Sequence, residues 1–188
     1  MFTMMLTGHE TVRQKRQVNG MRRKDRERSV EFGFSVIDES DFGTLAVLDN
    51  SDIPYAVPLS IARKGSELYF HAAKSGTKNS LLTDGTHVRV VFVGCSRVPD
   101  VLPAPKIREA ILAGKAPSLF TTTFRSAIVT GTIRAVSDAG EKREALRLIS
   151  EKYTPQYMAY FDEAFASGEA MTAVCRIQID TVTAKEKA

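Results

Sequence analysis

The alternation of apolar and polar positions changes character near residue 29. Residues 1–28 are polar and aperiodic, whereas later residues recur with the period of two that suits strands or the period near 3.6 that suits helices. Residues 43–48 (GTLAVL) read as a short apolar strand. Residues 49–52 (DNSD) are turn chemistry, because Asn and Asp tolerate the left-handed backbone of tight hairpins. Residues 53–62 form the expected partner strand. Pro54 and Pro58 cannot donate to a ladder, so this strand belongs at an edge or carries a bulge. A turn at residues 63–66 leads into residues 67–72 (ELYFHA), completing an expected three-stranded antiparallel meander.

The rest of the chain repeats these themes. Residues 30–40 give a short, weak helix, since Gly33 costs about 1 kcal/mol relative to Ala in a helix interior. Residues 75–83 suggest one short helix after a glycine turn, residues 86–93 a β-branched buried strand, and residues 95–105 a loop with three prolines. Residues 107–113 can make a turn and a half of helix. Residues 118–136 read as one long strand or two short ones, with Ala127, Val129, Gly131 and Ile133 on one face and Ser126, Ile128, Thr130 and Thr132 on the other. Residues 141–153 carry the clearest helical stripe, Ala145, Leu148 and Ile149, with Asp138 and Glu141 at the positive dipole end. Pro155 opens a second helix to about residue 166, and residues 170–182 form a last alternating strand. Six or seven mostly antiparallel strands with peripheral helices predict a small closed or partly closed β-barrel. The absence of βαβ units, of G-x-G-x-x-G and of G-x-x-x-x-G-K-[ST] removes support for nucleotide folds built on those motifs.

Composition adds little until charge is placed along the chain. Of 188 residues, 43% are hydrophobic and 26% charged, which is ordinary for a globular domain. The net charge of +4 hides an asymmetry: residues 1–28 hold eight Lys/Arg against three acids, and the remainder is close to neutral. A basic arm can bind nucleic acid, but no aromatics sit among its arginines to stack on bases. Residues 1–28 are therefore read as a flexible leader, nucleic acid as an unsupported partner, and residues 29–188 as one domain. No apolar run approaches membrane-spanning length, and the first residues lack the features of a secretory signal. Two cysteines far apart, Cys95 and Cys175, suggest a reducing cytoplasm rather than a disulfide framework.

Three places could carry chemistry. Lys74, Ser75, Gly76, Thr77 and Lys78 lie at a strand-to-helix junction and suit a phosphate, or are an exposed polar turn. Arg125, between Phe124 and Ser126 in a β-branched strand, needs an anionic partner if buried, whether phosphate or a carboxylate. His71 ends a strand and is either a proton-transfer group or a structural histidine. Its companions His9 and His87 stand apart, and the cysteines show no ligand spacing, so no metal site is expected. No Ser-His-Asp order or nucleophile elbow is present.

Six segments taken in order carry a family likeness: residues 21–27 (MRRKDRE), 43–49 (GTLAVLD), 54–62 (PYAVPLSIA), 69–78 (YFHAAKSGTK), 124–134 (FRSAIVTGTIR) and 141–153 (EKREALRLISEKY). The chain resembles the flavin-binding split-barrel proteins of the pyridoxamine 5'-phosphate oxidase-like superfamily, and within them the 5-nitroimidazole-resistance branch. The resemblance implies a six-stranded antiparallel split barrel that dimerises with FMN at the interface and acts on a small-molecule substrate. It implies that Pro58, Leu59 and Ser60 lie against the flavin ring. His71, Ala72, Ala73, Lys74, Thr77 and Lys78 would reach the ring and phosphate, with Lys78 the phosphate ligand. Phe124, Arg125 and Ser126 would also approach the cofactor, and His71 is the catalytic candidate. The implied activity is FMN-dependent oxidation or reduction of a small organic molecule, with nitroaromatic reduction the specific form. A non-catalytic flavin- or haem-binding protein of the same fold is the alternative. Residues 95–117 form a longer proline-containing loop than the pattern expects.

Overall fold

The computed structural model describes residues 21–187, so most of the basic leader lies outside the described residues. Residues 21–28, read with that leader, contact the domain: strand β1 (Glu27–Arg28) pairs with Lys185 and Ala184, and Arg28 donates to Glu186.

Helix α1 (Val30–Glu39) starts where Ser29 accepts a hydrogen bond from the Phe32 N–H, satisfying one otherwise unpaired donor. Gly33, counted above as a weakness, is the point of closest approach. A Cβ there would stand 2.6 Å from Val182 Cγ1 and 3.3 Å from Ala184 Cβ. The helix trades propensity for contact, and Val36 and Ile37 are buried through it.

β2 (Gly43–Leu48) and β3 (Pro54–Leu59) form a hairpin. Its turn is held by Asp49 Oδ1, which accepts from Ser51 N and Ile53 N, and Asp52 supplies the left-handed residue at φ 60°. The single strand expected over residues 53–62 is not formed. It breaks after Leu59, and β4 (Ala62–Lys64) pairs instead with β5 (Glu67–Ala73). The expected meander is therefore two separate hairpins. The remaining strands are β6 (His87–Arg97), β7 (Thr123–Ala135) and β8 (Thr172–Lys187), and the sheet order is β3-β2-β6-β7-β8-β5-β4.

This order makes a barrel. β3 and β4 stand at the two edges of the sheet but are separated in sequence only by Ser60 and Ile61, so the sheet curls until its edges meet at that corner. Tyr153, the last residue of helix α4 (Ala139–Tyr153), fixes the corner: its hydroxyl accepts from Ile61 N and donates to Ile61 O, both at 2.9 Å. Lys152 Nζ donates to Ile61 O and to Ile37 O, joining the corner to α1. β5 follows β8 only from Thr172 to Gln178, and α1 packs against the later part of β8, at Val182 and Ala184. The fold is a split antiparallel barrel with peripheral helices. Eight strands are assigned among the described residues where six were expected, because β1 and β4 are short additions of two and three residues.

Inside lie Leu45, Phe70, Val90, Phe92, Val129, Ile133 and Ile177, packed with Val36 and Ile37. The face assignment expected for β7 holds, with Ala127, Val129 and Ile133 inward. Outside, the two flanks of the sheet differ. α4 covers β4, β5 and the start of β8, where Ala145 and Ile149 pack on Ala62, Tyr69 and Val174. On the other flank the outward side chains of β2, β6 and β7, including Leu48, Val93 and Ile128, are exposed.

Residues 98–122 leave this flank as an arm. It holds helix α3 (Ala104–Leu112) and a 3-10 turn at Ala116–Phe120, and neither contains a buried residue. The loop expected from residue 95 begins later, because β6 runs on to Arg97. The second helix expected from Pro155 opens as a 3-10 turn, Pro155–Tyr160, before helix α5 (Phe161–Gly168). No helix among the described residues is long and apolar enough to cross a membrane.

Candidate functional site

The site is built around the end of β5. His71 pairs in the ladder with Val174, Ala72 turns into the barrel, and Ala73 and Lys74 are exposed. The chain then bends at Gly76, whose φ of +110° is open to glycine without strain and where a Cβ would meet nothing within 4 Å. Asn79 holds this bend against the strand by donating to Ala73 O at 2.6 Å. Helix α2 (Thr77–Leu81) is a single turn of five residues, so the helix expected over residues 75–83 is shorter and its dipole contributes little. What the loop does offer is charge. Lys78 is half-buried and makes no ion pair among the described residues.

The Lys78 ammonium acts on two neighbours. Loss of solvation, and secondly Lys78, push the His71 imidazole below its ordinary pKa. Cys175 is pushed up by burial and partly pulled back by Lys78. His71 also opens on a cleft of about 230 Å³ between the sheet, α4 and α5, lined by Ile149, Phe161, Phe165 and Thr172. At neutral pH this histidine is therefore an uncharged imidazole beside an apolar cleft and a lysine.

The strip of residues 58–60 ends β3 and opens the corner to β4. Leu59 is buried in the core while Pro58 and Ser60 are exposed. Ala62 pairs with Tyr69 at the end of the β4–β5 ladder, two residues along the chain from Ser60 on one side and from His71 on the other. The corner at Ile61 sets the end of β3 next to β4, which pairs with β5, the strand that carries His71.

Phe124, Arg125 and Ser126 stand elsewhere. They begin β7, opposite Lys187, Glu186 and Lys185, whereas the β8 residues beside His71 are level with the end of β7 at Ala135. The eleven residues between are on the order of 30 Å of strand. Arg125 is engaged within the chain: it donates to Glu39 at 2.8 Å, lies 3.8 Å from Glu186, and stacks on the Phe32 ring at 4.7 Å. Of the two partners open to it on sequence grounds, the described chain supplies carboxylates. One chain alone therefore does not assemble all of the predicted residues into one site.

Sequence reasoning missed Tyr153 and Asn79. Tyr153 lies at the end of the helix expected over residues 141–153 and Asn79 within the one expected over residues 75–83, and neither position has a local signal for a partner 92 or 6 residues away. Among the described residues no group of three or more His, Cys, Asp and Glu side chains converges as a metal site.

With this geometry in place, comparison with known proteins is informative. No curated protein matches the chain. A candidate 5-nitroimidazole antibiotic resistance protein of Bacteroides thetaiotaomicron superposes with a TM-score of 0.63 at 22% identity, over 85% of this chain and 84% of that one. An FAD- and haem-binding protein of Mycobacterium smegmatis gives 0.68 at 20% identity, over 86% and 73%. A flavocytochrome of Azotobacter vinelandii gives 0.66 at 18% identity, over 89% and 72%. At these identities the likeness is one of fold. The family model described as pyridoxamine 5'-phosphate oxidase matches residues 33–186, from the first turn of α1 to the end of β8, and the chain belongs to that family.

Proposed function

We propose that the protein is a homodimeric FMN-dependent oxidoreductase acting on a small organic molecule, with nitroaromatics such as 5-nitroimidazoles as the substrate class. The observation that carries this reading is Lys78: a half-buried cation without an acidic partner among the described residues, beside His71 and around the corner from Ser60. The residues fit a flat ligand that ends in a phosphate. Lys78 and the Thr77 hydroxyl would hold the phosphate, with Gly76 leaving room for close approach. Pro58 and Ser60 would face the ring. FMN, when bound, would supply the electron-transfer chemistry.

His71 in the unliganded chain is neutral at pH 7, so it serves first as a hydrogen-bond partner. An anion held by Lys78 would offset the Lys78 repulsion, the lesser of the two causes of its lowered pKa after loss of solvation, and shift it toward a proton donor to a substrate in the cleft. The dimer follows from the split of the site. Phe124 and Ser126 can meet a ligand held at residues 58–78 only if a second copy brings them, and the uncovered β2–β6–β7 face supplies apolar surface for that copy. Free Cys95 and Cys175 suit a reducing cytoplasmic setting.

A second reading is favoured by two neighbours of the same fold, a flavocytochrome and an FAD- and haem-binding protein: a non-catalytic flavin- or haem-binding role. Stopped-flow reoxidation of the reduced, FMN-loaded protein separates the two. The oxidoreductase reading expects faster flavin reoxidation with a nitroimidazole than without, in the absence of oxygen. Equal rates across a panel of nitroaromatics and small electron acceptors would leave the binding role.

A further inference from the structure

The arm over residues 98–122 has no use within one chain. Val101, Leu112 and Phe120 are 95%, 89% and 89% exposed, and no residue of α3 or of the following 3-10 turn is buried. An amphipathic segment that half-buries Ile107 and Leu119 and leaves its other large apolar side chains in water gains little to offset the entropy of its ordering. Beyond Asp100, which pairs with Arg97, the helical part of the arm has a charge sign. Residues 104–115 carry Lys106, Arg108 and Lys115 against Glu109 alone.

A complementary surface exists on the same chain. Residues 155–171 contain Asp162, Glu163 and Glu169 and no Lys or Arg. Arg143 and Arg147 neutralise Asp162 and Lys142 donates to the Glu169 carbonyl, while the Glu163 carboxylate has no ion-pair partner among the described residues. This segment exposes Tyr157, Tyr160 and Met171, and a groove of about 310 Å³ runs between Tyr160, Glu163, Ala164 and Ser167. Its inner side, through Phe161 and Phe165, lines the His71 cleft.

The arm is hinged where it matters. It leaves at Arg97 and returns at Thr123, one residue before Phe124. In the dimer described above, Phe124 and Ser126 of one copy approach the His71 corner of the other, which carries the arm toward that copy's α5.

We infer that the arm of each copy seats on residues 155–171 of the second copy, Leu112 and Phe120 against the Tyr160 groove and Arg108 beside Glu163, so that it roofs the partner's His71 cleft and helps select the substrate. The inference rests on the dimeric flavin reading. Its occupant is a second copy because the charges match within this one sequence and because the hinge lies on half of the composite site.

The test uses full-length protein in a Cys95→Ser, Cys175→Ala background. Leu112→Cys protein is mixed with Tyr160→Cys protein and oxidised. A disulfide-linked heterodimer at low protein concentration is the expected product. Independently, Arg108→Glu should raise the dimer dissociation constant at least tenfold, and adding Glu163→Arg should restore it. A dimer that binds FMN but gives no mixed cross-link and no charge rescue overturns the arm inference alone. A chain that is monomeric with FMN bound overturns the dimeric reading and this inference with it. A cross-link that forms only when both cysteines are on one chain places the arm on its own α5 and likewise overturns the inference.

Discussion

The two flanks of the barrel share one sheet and one core but treat their outer faces differently. On the β4–β5–β8 flank, Tyr69 and Val174 are buried beneath Ala145 and Ile149 of α4. On the β2–β6–β7 flank, Leu48, Val93 and Ile128 meet solvent. The covered flank also carries a polar network, in which Tyr69 donates to Glu67 and Arg176 spans Glu67 and Glu141. Burial and these acids hold the Tyr69 phenol well above its usual pKa, so it stays protonated as a donor. One flank is finished by its own chain, and the other is left for something else. The candidate site lies at the corner where the two flanks join.

The comparison is broken most forcefully by placing the same charge on each side. Val174→Glu would bury an unpaired carboxylate under α4 at a cost of about 3–5 kcal/mol, enough to consume much of a domain's stability. Urea unfolding should show a collapsed midpoint, and an unchanged midpoint would mean that α4 does not seal this flank. Ile128→Glu, on the open side, should leave the single-chain fold within about 0.5 kcal/mol. It should weaken the dimer by about 2 kcal/mol, roughly a factor of 30, in sedimentation velocity. Dimerisation that survives intact would move the interface elsewhere.

At the corner the expected effects are smaller. Lys78→Ala removes a charge-assisted contact worth about 1.5–3 kcal/mol and should weaken FMN binding by one to two orders of magnitude in a titration; unchanged affinity would detach Lys78 from the phosphate. His71 gives the smallest signal. Its folded pKa lies below the unfolded value, so the unfolded chain binds the proton more readily. Stability should fall as pH drops through about 6.5, by less than the wild type in His71→Ala. FMN binding should raise the His71 pKa, read from the imidazole proton shifts in NMR titrations with and without the flavin. A pKa that does not move would place His71 away from the bound phosphate.

Much of the fold could be read from the sequence because strand faces are local facts. The alternation of Ala127, Val129 and Ile133 predicted the inward face of β7 without knowledge of any partner. The corner could not be read that way. Leu59, Ile61 and Ala62 are all buried apolar residues in a continuous run, so the run looks like one strand. What divides it is a hydroxyl at Tyr153. Gly33 misled for a related reason: its cost in a helix is local and visible, and its return, contact with Val182 and Ala184, is not. Arg125 was left between two anions because Glu39 is 86 residues distant. At the site, the loop at residues 74–78 was legible as a bend with two lysines. The break between β3 and β4 at Ser60 and Ile61 was not, since it depends on the sheet edges meeting.

That meeting has a consequence for the order in which the chain can settle during its synthesis. The β2–β3 hairpin and the β4–β5 hairpin are complete by residue 73, yet the corner between them at Ile61 is fastened by Tyr153, 92 residues beyond Ile61. At translation rates of about 5–20 residues per second, the two hairpins wait several seconds with their edges unpaired. β8, which joins β5 to β7, emerges later still. The site at Ser60 and His71 is therefore among the last parts of the protein to come into being, although its residues are made in the first half of the chain.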